Sequence, residues 1–156
     1  MAQEIERKFL IAGEGWRNGV TGSTHFMQGY LSSDSKATVR VRTHDDRTAA
    51  ITLKSAVQGN VRNEYEYDIP IEDARELLDL AQPNVIAKTR HLVPFAGLIW
   101  EVDVFEGKHS GLLLAEVELD HPDQVVELPD WVGREVTDDD RYYNSSLSRA
   151  EGPPRN

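Results

Sequence analysis

Strict alternation of apolar and polar side chains runs through most of this chain. It recurs in eight short runs separated by clusters of Gly, Asn and Asp, and each run is typical of a half-buried β-strand. Asp45-Asp46 and Phe95-Ala96-Gly97 indicate tight hairpins, so neighbouring strands are predicted to be antiparallel. The eight predicted strands are residues 3–11, 24–32, 37–44, 47–55, 62–69, 85–93, 98–106 and 112–120.

Three segments break the alternation and predict helices. Leucines at helical spacing follow Pro70 and two acidic residues, which predicts a helix over residues 70–81. A short helix is predicted near residues 122–128. A last helix is predicted over residues 138–148, which open with the acids that a helix N-terminus prefers. The predicted fold class is therefore α+β, with one eight-stranded antiparallel sheet and a few flanking helices.

Length, charge and composition limit the domain count and the partners. The 156 residues fit one domain, predicted as residues 1–150 with a disordered tail at 151–156. The net charge of −10 repels phosphate backbones and anionic lipid, so binding to nucleic acid or membranes is not expected. There is no cysteine, and no apolar run approaches the roughly 18 residues of a membrane helix. These features predict a cytoplasmic protein.

The polar faces of the predicted strands carry charged residues in same-sign pairs. Residues two apart on a strand point the same way, and like charges this close repel each other. On one strand such a face is most simply the solvent side of a sheet, but seven strands have a charged face, and on six of them the charges form same-sign pairs. If the sheet closes into a barrel with this face inside, acidic and basic pairs line one tunnel. The apolar outer face must then be covered by the helices or by a second subunit.

Such a lining has a clear chemical use. Hard divalent cations such as Mg²⁺ prefer carboxylate oxygens, whereas Arg and Lys prefer phosphate oxygens. Together they predict a polyanion bridged by metal, as phosphoryl transfer requires. The acidic candidates are Glu4, Glu6, Glu64, Glu66, Glu101, Asp103, Glu116 and Glu118, and the basic candidates are Lys8, Arg40, Arg42, Lys54, Lys88 and Arg90. The five histidines show no metal-ligand spacing and are predicted to lie on the surface or in loops.

An ordered set of short motifs resembles the CYTH superfamily, the triphosphate tunnel metalloenzymes. The opening EIERKF resembles the ExExK signature of that family, and the resemblance continues over nearly the whole chain. The matching motifs are Gln28-Gly29-Tyr30, RxR at 40–42, TxK at 52–54, ExE at 64–66, KxR at 88–90, WEVDVFEG at 100–107, LAEVEL at 114–119 and EVTDDDRYYN at 135–144.

The resemblance implies a closed eight-stranded antiparallel tunnel that binds a triphosphate together with Mg²⁺ or Mn²⁺. It implies that Lys8, Arg40, Arg42, Lys54, Lys88 and Arg90 hold the phosphates, and that Glu4, Glu6 and Glu118, with Asp103 and Glu116, hold the metal. Glu64, Glu66 and Glu101 are predicted to support the site, the first two mainly as counter-ions that orient the cations.

The implied activity is hydrolysis of a triphosphate, most simply inorganic tripolyphosphate, as in small bacterial members of the family. An adenylate cyclase of the class IV type, a thiamine triphosphatase and a non-catalytic polyphosphate-binding module remain alternatives. We hypothesise that Lys88, its pKa lowered by neighbouring cations, activates water together with Tyr30; a metal-bound water is the alternative. A homodimer is compatible with the sequence.

Overall fold

The computed structural model describes residues 2–33, 36–56 and 61–155. The predicted tail ends on Asn156, which lies outside the described residues. The strands are β1 Ala2–Ile11, β2 Gly22–Ser33, β3 Ala37–His44, β4 Thr48–Ser55, β5 Val61–Ile69, β6 Val85–Phe95, β7 Leu98–Phe105, β8 Leu113–Glu118 and β9 Val132–Glu135. The helices are α1 Ile71–Ala81 and α2 Asn144–Arg149, with 3₁₀ turns at Gly15–Gly19, Gly107–His109 and Asp140–Tyr142. Within this described part of the chain, no helix is long and apolar enough to cross a membrane.

Eight antiparallel strands close into a barrel, which confirms the predicted fold. The strand order is β5-β4-β3-β2-β6-β7-β8-β1, and β1 pairs again with β5, from Ala2 opposite Glu64 to Ile5 opposite Val61. The short strand β9, which the sequence analysis missed, pairs with the far end of β1, from Phe9 opposite Glu135 to Ile11 opposite Val132, with a shift of register between them. Its four residues are too few to show the alternation that reveals the other strands.

The two predicted hairpin turns are present. Asp45 and Asp46 adopt φ of 51° and 55° between β3 and β4, and Ala96 and Gly97 adopt φ of 50° and 81° between β6 and β7. Consecutive positive φ values are typical of turns whose twist matches that of the flanking strands. The hairpins therefore fix the register that places the charged face inside the barrel.

Most of the hydrophobic core lies outside the barrel wall. The outward side chains of Phe9, Trp100 and Val117 are buried beneath Trp16 of the first 3₁₀ turn and Trp131 of the segment before β9. On another side of the barrel, α1 packs Ala74 and Leu78 against Val41 and Ala49 of β3 and β4. The alternation thus puts apolar groups under these covering segments and polar groups into the barrel.

A third apolar cluster closes one end of the barrel from within. Ile86, Phe105 and Leu114 come from inward positions of β6, β7 and β8, and they pack with Tyr142 and Leu147 of the C-terminal segment. At the opposite end, the inward residues Thr48, Glu66 and Asp68 are exposed. The barrel is therefore a polar cavity with one apolar, closed end.

Two of the helix predictions need correction. Residues 119–131, all described, contain turns but no helix, so the helix predicted near 122–128 is wrong. Pro129 disfavours the helical conformation of Leu128 before it, and Leu119 and Trp131 are buried against the barrel at the two ends of this segment. The predicted helix over 138–148 is interrupted at Tyr143, whose φ of −66° and ψ of 136° are extended and separate the 3₁₀ turn from α2.

One histidine is not on the surface, although it lies in a loop as predicted, between β7 and β8. His109 is almost fully buried, and its Nε2–H donates a hydrogen bond to the carbonyl oxygen of Leu147 in α2. Burial lowers the pKa of His109. The hydrogen bond to Leu147 partly offsets this effect, and the nearby Lys108 lowers the pKa further. The sequence analysis argued from the absence of metal-ligand spacing. That absence does not require an exposed position, because a buried imidazole can also satisfy a backbone carbonyl.

Candidate active site

The interior of the barrel is a cavity with charged walls. Fourteen of its nineteen lining residues are of charged types, seven basic and seven acidic. The basic residues are Lys8, Arg40, Arg42, Lys54, Arg62, Lys88 and Arg90, and the acidic residues are Glu4, Glu6, Glu64, Glu66, Glu101, Glu116 and Glu118; the others are Tyr30, Thr38, Tyr143, Asn144 and Ser145. Every predicted site residue except Asp103 therefore faces one cavity.

Strand register brings the same-sign pairs of neighbouring strands together. Glu6 lies opposite Glu118, and Lys8 lies opposite Glu116 between β1 and β8. Lys54 of β4 lies opposite Glu64 of β5. At these positions the charged side chains of one strand therefore lie directly opposite charged side chains of the next strand, which is a contact that no single strand could reveal.

Two arginines of β3 form a cationic wall whose positive charges are little compensated by the groups to which they bond. The Nη2 of Arg40 donates to Thr52 Oγ1 at 3.2 Å, and its buried Nε has no hydrogen-bond partner among the described residues. The Nε of Arg42 donates to Gln28 Oε1 at 2.9 Å, and its guanidinium lies 4.2 Å from the centroid of the Phe26 ring. Burial and then the charge of Arg40 lower the pKa of Arg42 to about 9. An anion in the cavity would stabilise both guanidinium groups.

Lys88, Arg90 and Asp103 form a buried ionic cluster behind this wall. The Asp103 carboxylate accepts from Lys88 Nζ at 2.7 Å and from Arg90 Nε and Nη2 at 2.8 and 2.9 Å. Burial lowers the pKa of Lys88 to about 7, with help from the nearby Arg90 and Arg42 and against the attraction of Asp103. Burial is thus a larger cause of this lowered pKa than the neighbouring cations that the sequence analysis invoked.

Carboxylates crowd another part of the cavity. Lys54 Nζ lies 3.0 Å from both carboxylate oxygens of Glu4 and 4.0 Å from Glu64. No cation of the described residues forms an ion pair with Glu6, and burial followed by the charges of Glu116 and Glu4 raises its pKa to about 8, against the weaker attraction of Lys8 and Lys54. A cation placed here would favour the charged form of this carboxyl group and so lower its pKa.

The oxygen donors around Glu6 suit a hard divalent cation. Glu4, Glu6, Glu116 and Glu118 line the same cavity, and Mg²⁺ and Mn²⁺ bind carboxylate oxygens. Among residues 2–33, 36–56 and 61–155, no three acidic or histidine side chains are already arranged around one point. Glu4 is paired with Lys54, and Glu116 lies 3.5 Å from Lys8 and 3.6 Å from Arg90. The donor chemistry therefore fits a metal, and two of the four carboxylates, Glu4 and Glu116, are paired with cations.

Sequence reasoning missed five residues of the cavity. Arg62 alternates with Glu64 on β5, so the same two-residue period could have identified it. Thr38 is likewise two residues before Arg40. The other three, Tyr143, Asn144 and Ser145, come from the interrupted C-terminal segment, which has no period to read. The Arg62 guanidinium lies 5.3 Å from the centroid of the Tyr143 ring and connects this segment to the barrel.

A closed antiparallel barrel with carboxylates and cations facing each other inside it is the architecture that the resemblance to the triphosphate tunnel metalloenzymes implies. The model of the CYTH domain matches residues 2–151, so the chain belongs to the CYTH family and the predicted resemblance is confirmed.

Curated relatives extend this similarity to whole proteins. An inorganic triphosphatase of Acetivibrio thermocellus is 43% identical over 148 residues, which are 94% of this chain and 94% of the relative. An inorganic triphosphatase of Nitrosomonas europaea is 34% identical over 148 residues, 93% of this chain and 96% of the relative. The solved structure of the inorganic triphosphatase NE1496 is similar with a TM-score of 0.71 and 35% identity, covering 96% of this chain and 97% of that chain.

Proposed function

We propose that this protein is a metal-dependent triphosphatase that hydrolyses inorganic tripolyphosphate. One observation carries the proposal: a single cavity holds under-compensated cations at Arg40 and Arg42 and under-compensated carboxylates around Glu6. A triphosphate chelating a divalent cation supplies both missing charges at once. The relatives named inorganic triphosphatase support the choice of substrate.

In this proposal the phosphate oxygens are bound by the basic wall. Arg40 and Arg42 present guanidinium groups from β3, and five further cations of the described residues reach the same cavity from other strands, four of which belong to the proposed set. Arg suits phosphate through its fork of N–H donors, and Lys acts as a compact charge. The six proposed phosphate-binding residues are Lys8, Arg40, Arg42, Lys54, Lys88 and Arg90.

The metal is proposed to be Mg²⁺ or Mn²⁺, held by Glu4, Glu6 and Glu118 with Glu116. When bound, it supplies neutralisation of the charge on the phosphate oxygens. Asp103 is expected to act differently, because its two oxygens are already bonded to Lys88 and Arg90 and it does not line the cavity. We assign it the positioning of these two cations. Glu64, Glu66 and Glu101 then act as counter-ions; Glu101, for example, accepts from Arg90 Nη1 at 3.1 Å.

Lys88 is the proposed group that takes a proton from the attacking water, with Tyr30 close by. Its Nζ is buried at the cavity wall, and the Tyr30 hydroxyl accepts a hydrogen bond from Gln28 Nε2 at 3.2 Å. The water oxygen bonds to a terminal phosphorus as its bridging P–O bond breaks. Phosphate and pyrophosphate are the products, and the proton of the water passes to Lys88.

Several sequence predictions remain predictions alongside this function. They are the homodimer, the absence of a nucleic acid partner, the cytoplasmic location, and the division into a domain over residues 1–150 and a tail over 151–156. Light scattering of the purified protein, at concentrations spanning those used in assays, tests the homodimer directly.

A substrate panel tests the proposed function. Purified protein is incubated with Mg²⁺ or Mn²⁺ and tripolyphosphate, ATP, thiamine triphosphate or pyrophosphate, and the products are separated by chromatography. We expect phosphate and pyrophosphate from tripolyphosphate, and slower or no turnover of the others. Cyclic AMP from ATP would place the protein among cyclases. Preferred cleavage of thiamine triphosphate would place it among thiamine triphosphatases, and tight triphosphate binding without turnover would place it among binding modules.

A further inference from the structure

The first residue of α2 reaches into the cavity and contacts Lys88. The Oδ1 of Asn144 lies 2.8 Å from Lys88 Nζ and 3.1 Å from Gln28 Nε2. Asn144 belongs to neither the basic nor the acidic set, and it comes from outside the eight strands of the barrel. It is therefore a contact to the proposed proton acceptor that the strand alternation does not supply.

The donors and acceptors around Asn144 have only one consistent arrangement. The Arg42 guanidinium can only donate, so the Gln28 atom that faces it is the oxygen and the Gln28 amide nitrogen faces Asn144. The Lys88 ammonium also only donates when charged, so Asn144 must present its oxygen to both neighbours. A continuous chain of hydrogen bonds thus runs from Arg42 through Gln28 and Asn144 to Lys88.

This chain fixes the direction of the Lys88 nitrogen. Asp103 Oδ2 and Asn144 Oδ1 each accept one Lys88 N–H, at 2.7 and 2.8 Å, from two different elements, β7 and α2. Two fixed bonds on a tetrahedral nitrogen leave the remaining directions determined by geometry. Lys88 also lines the cavity, so its orientation decides how it meets a bound substrate.

The helix itself is anchored by other groups. Leu147 and Tyr142 are buried in the apolar cluster that closes the barrel, and Lys108 Nζ donates to the carbonyl oxygen of Ser148 at 2.8 Å. Lys8 Nζ donates to the carbonyl oxygen of Tyr142 at 3.0 Å. The side-chain amide of Asn144 is consequently not needed to hold α2 in place.

We propose that Asn144 is a positioning residue for the hydrolysis, whose amide oxygen orients Lys88 toward the bound triphosphate. This inference rests on the proposed function. It makes the C-terminal segment part of the active site, because Asn144 can hold Lys88 only while α2 is seated in the end of the barrel.

Steady-state kinetics of Asn144→Leu with tripolyphosphate and Mg²⁺ or Mn²⁺ test the proposal. Leu keeps the side-chain volume and removes the acceptor. We expect kcat to fall by about 10- to 100-fold, as for a displaced reacting group, with KM changed by less than about threefold. Asn144→Ser, which retains a hydroxyl acceptor on a shorter side chain, should lose less. Ser146→Ala on the same helix, which leaves the cavity lining intact, should keep wild-type kinetics.

A double-mutant cycle separates positioning from general damage to the fold. If Asn144 acts through Lys88, adding Asn144→Leu to Lys88→Ala should lower kcat by less than about threefold further. A full additional loss in the Lys88→Ala background, or an Asn144→Leu variant with wild-type kcat, overturns the inference while leaving the proposed function intact. If Asn144→Leu does not fold, the same comparison with Asn144→Ser decides. A wild-type protein that fails to cleave tripolyphosphate overturns the proposed function and this inference with it.

Discussion

At the scale of single residues, Lys88 and Lys54 are the informative pair of lysines. Lys88 is 1% exposed and bonded to Asp103 and Asn144, whereas Lys54 is paired with Glu4 and remains partly exposed. Both line the cavity, and both are proposed to bind phosphate. Lys88 combines that position with a lowered pKa of about 7, which suits proton transfer near neutral pH.

We therefore predict different kinetic effects for the two lysine variants. Lys88→Ala should lower kcat by at least about 100-fold, because it removes a proton acceptor. Lys54→Ala should mainly raise KM for tripolyphosphate, because it removes one charge-assisted contact. Initial rates over a range of substrate concentrations give both constants, and melting temperatures check that each variant folds. A Lys88→Ala variant whose turnover falls no further than that of Lys54→Ala contradicts the special role of Lys88.

Glu6 gives a prediction about metal binding that does not depend on turnover. Its carboxyl group is crowded by Glu4 and Glu116 and lacks a paired cation. Adding Mn²⁺ to chelator-treated wild type should raise the melting temperature, because a bound ligand stabilises the folded state by mass action. In Glu6→Gln, this shift should fall by at least about half because one carboxylate ligand is lost.

The matched control for Glu6 is Glu76→Gln, an exposed position on α1. It should keep the full wild-type shift with Mn²⁺. Both variants should melt near the wild-type temperature in chelator, because Gln keeps the size of the Glu6 side chain and because Glu76 is exposed. An undiminished Mn²⁺ shift in Glu6→Gln is incompatible with Glu6 as a metal ligand.

At the scale of elements, the packing of α1 on β2 depends on Gly29. A Cβ built at Gly29 would lie 2.7 Å from Ala81 Cβ and 3.1 Å from Leu78 Cδ2, both on α1. This approach is closer than side chains tolerate, so glycine allows the helix to lie directly on the barrel. The helix in turn covers part of the outer wall of β2, β3 and β4.

We predict that Gly29→Ala destabilises the fold by about 1–3 kcal/mol, the usual cost of overpacking. Urea unfolding followed by circular dichroism measures the change. Gly22→Ala in the same strand meets only Leu92 Cδ1, at 3.9 Å, and should change stability by less than about 0.5 kcal/mol. Combining Gly29→Ala with Ala81→Gly should cost less than the sum of the single changes. Strict additivity of the two would rule out a direct clash.

The elements also show where sequence reasoning succeeds and where it stops. The eight barrel strands carry a two-residue period, so both their existence and their inward faces were predictable. Strand β9 has four residues, and α2 follows an extended Tyr143, so neither shows a readable period. Asn144 is placed in the cavity by the packing of Tyr142 and Leu147, which is tertiary information.

At the scale of the whole molecule, the barrel places charged groups inside and most apolar groups outside. Closure brings the inward faces of all eight strands together, and seven of these faces carry charged residues, which becomes evident only when the strands are considered together. The sequence did not show that Asp103 would form ion pairs with Lys88 and Arg90, because this pairing depends on the depth of each side chain in the barrel. It did not include Arg62, although the alternation already placed that residue on the inward face.

The central claim is that this charged cavity catalyses cleavage of a triphosphate with the help of a metal. The most direct measurement is the initial rate of phosphate release from tripolyphosphate with Mg²⁺ or Mn²⁺, for wild type and Glu4→Gln at equal concentration. We predict rapid release by wild type that stops on chelation, and a rate at least about 100-fold lower in Glu4→Gln because a ligand of the metal is lost. Equal rates for the two proteins, or release by wild type that chelation leaves unchanged, would contradict the account.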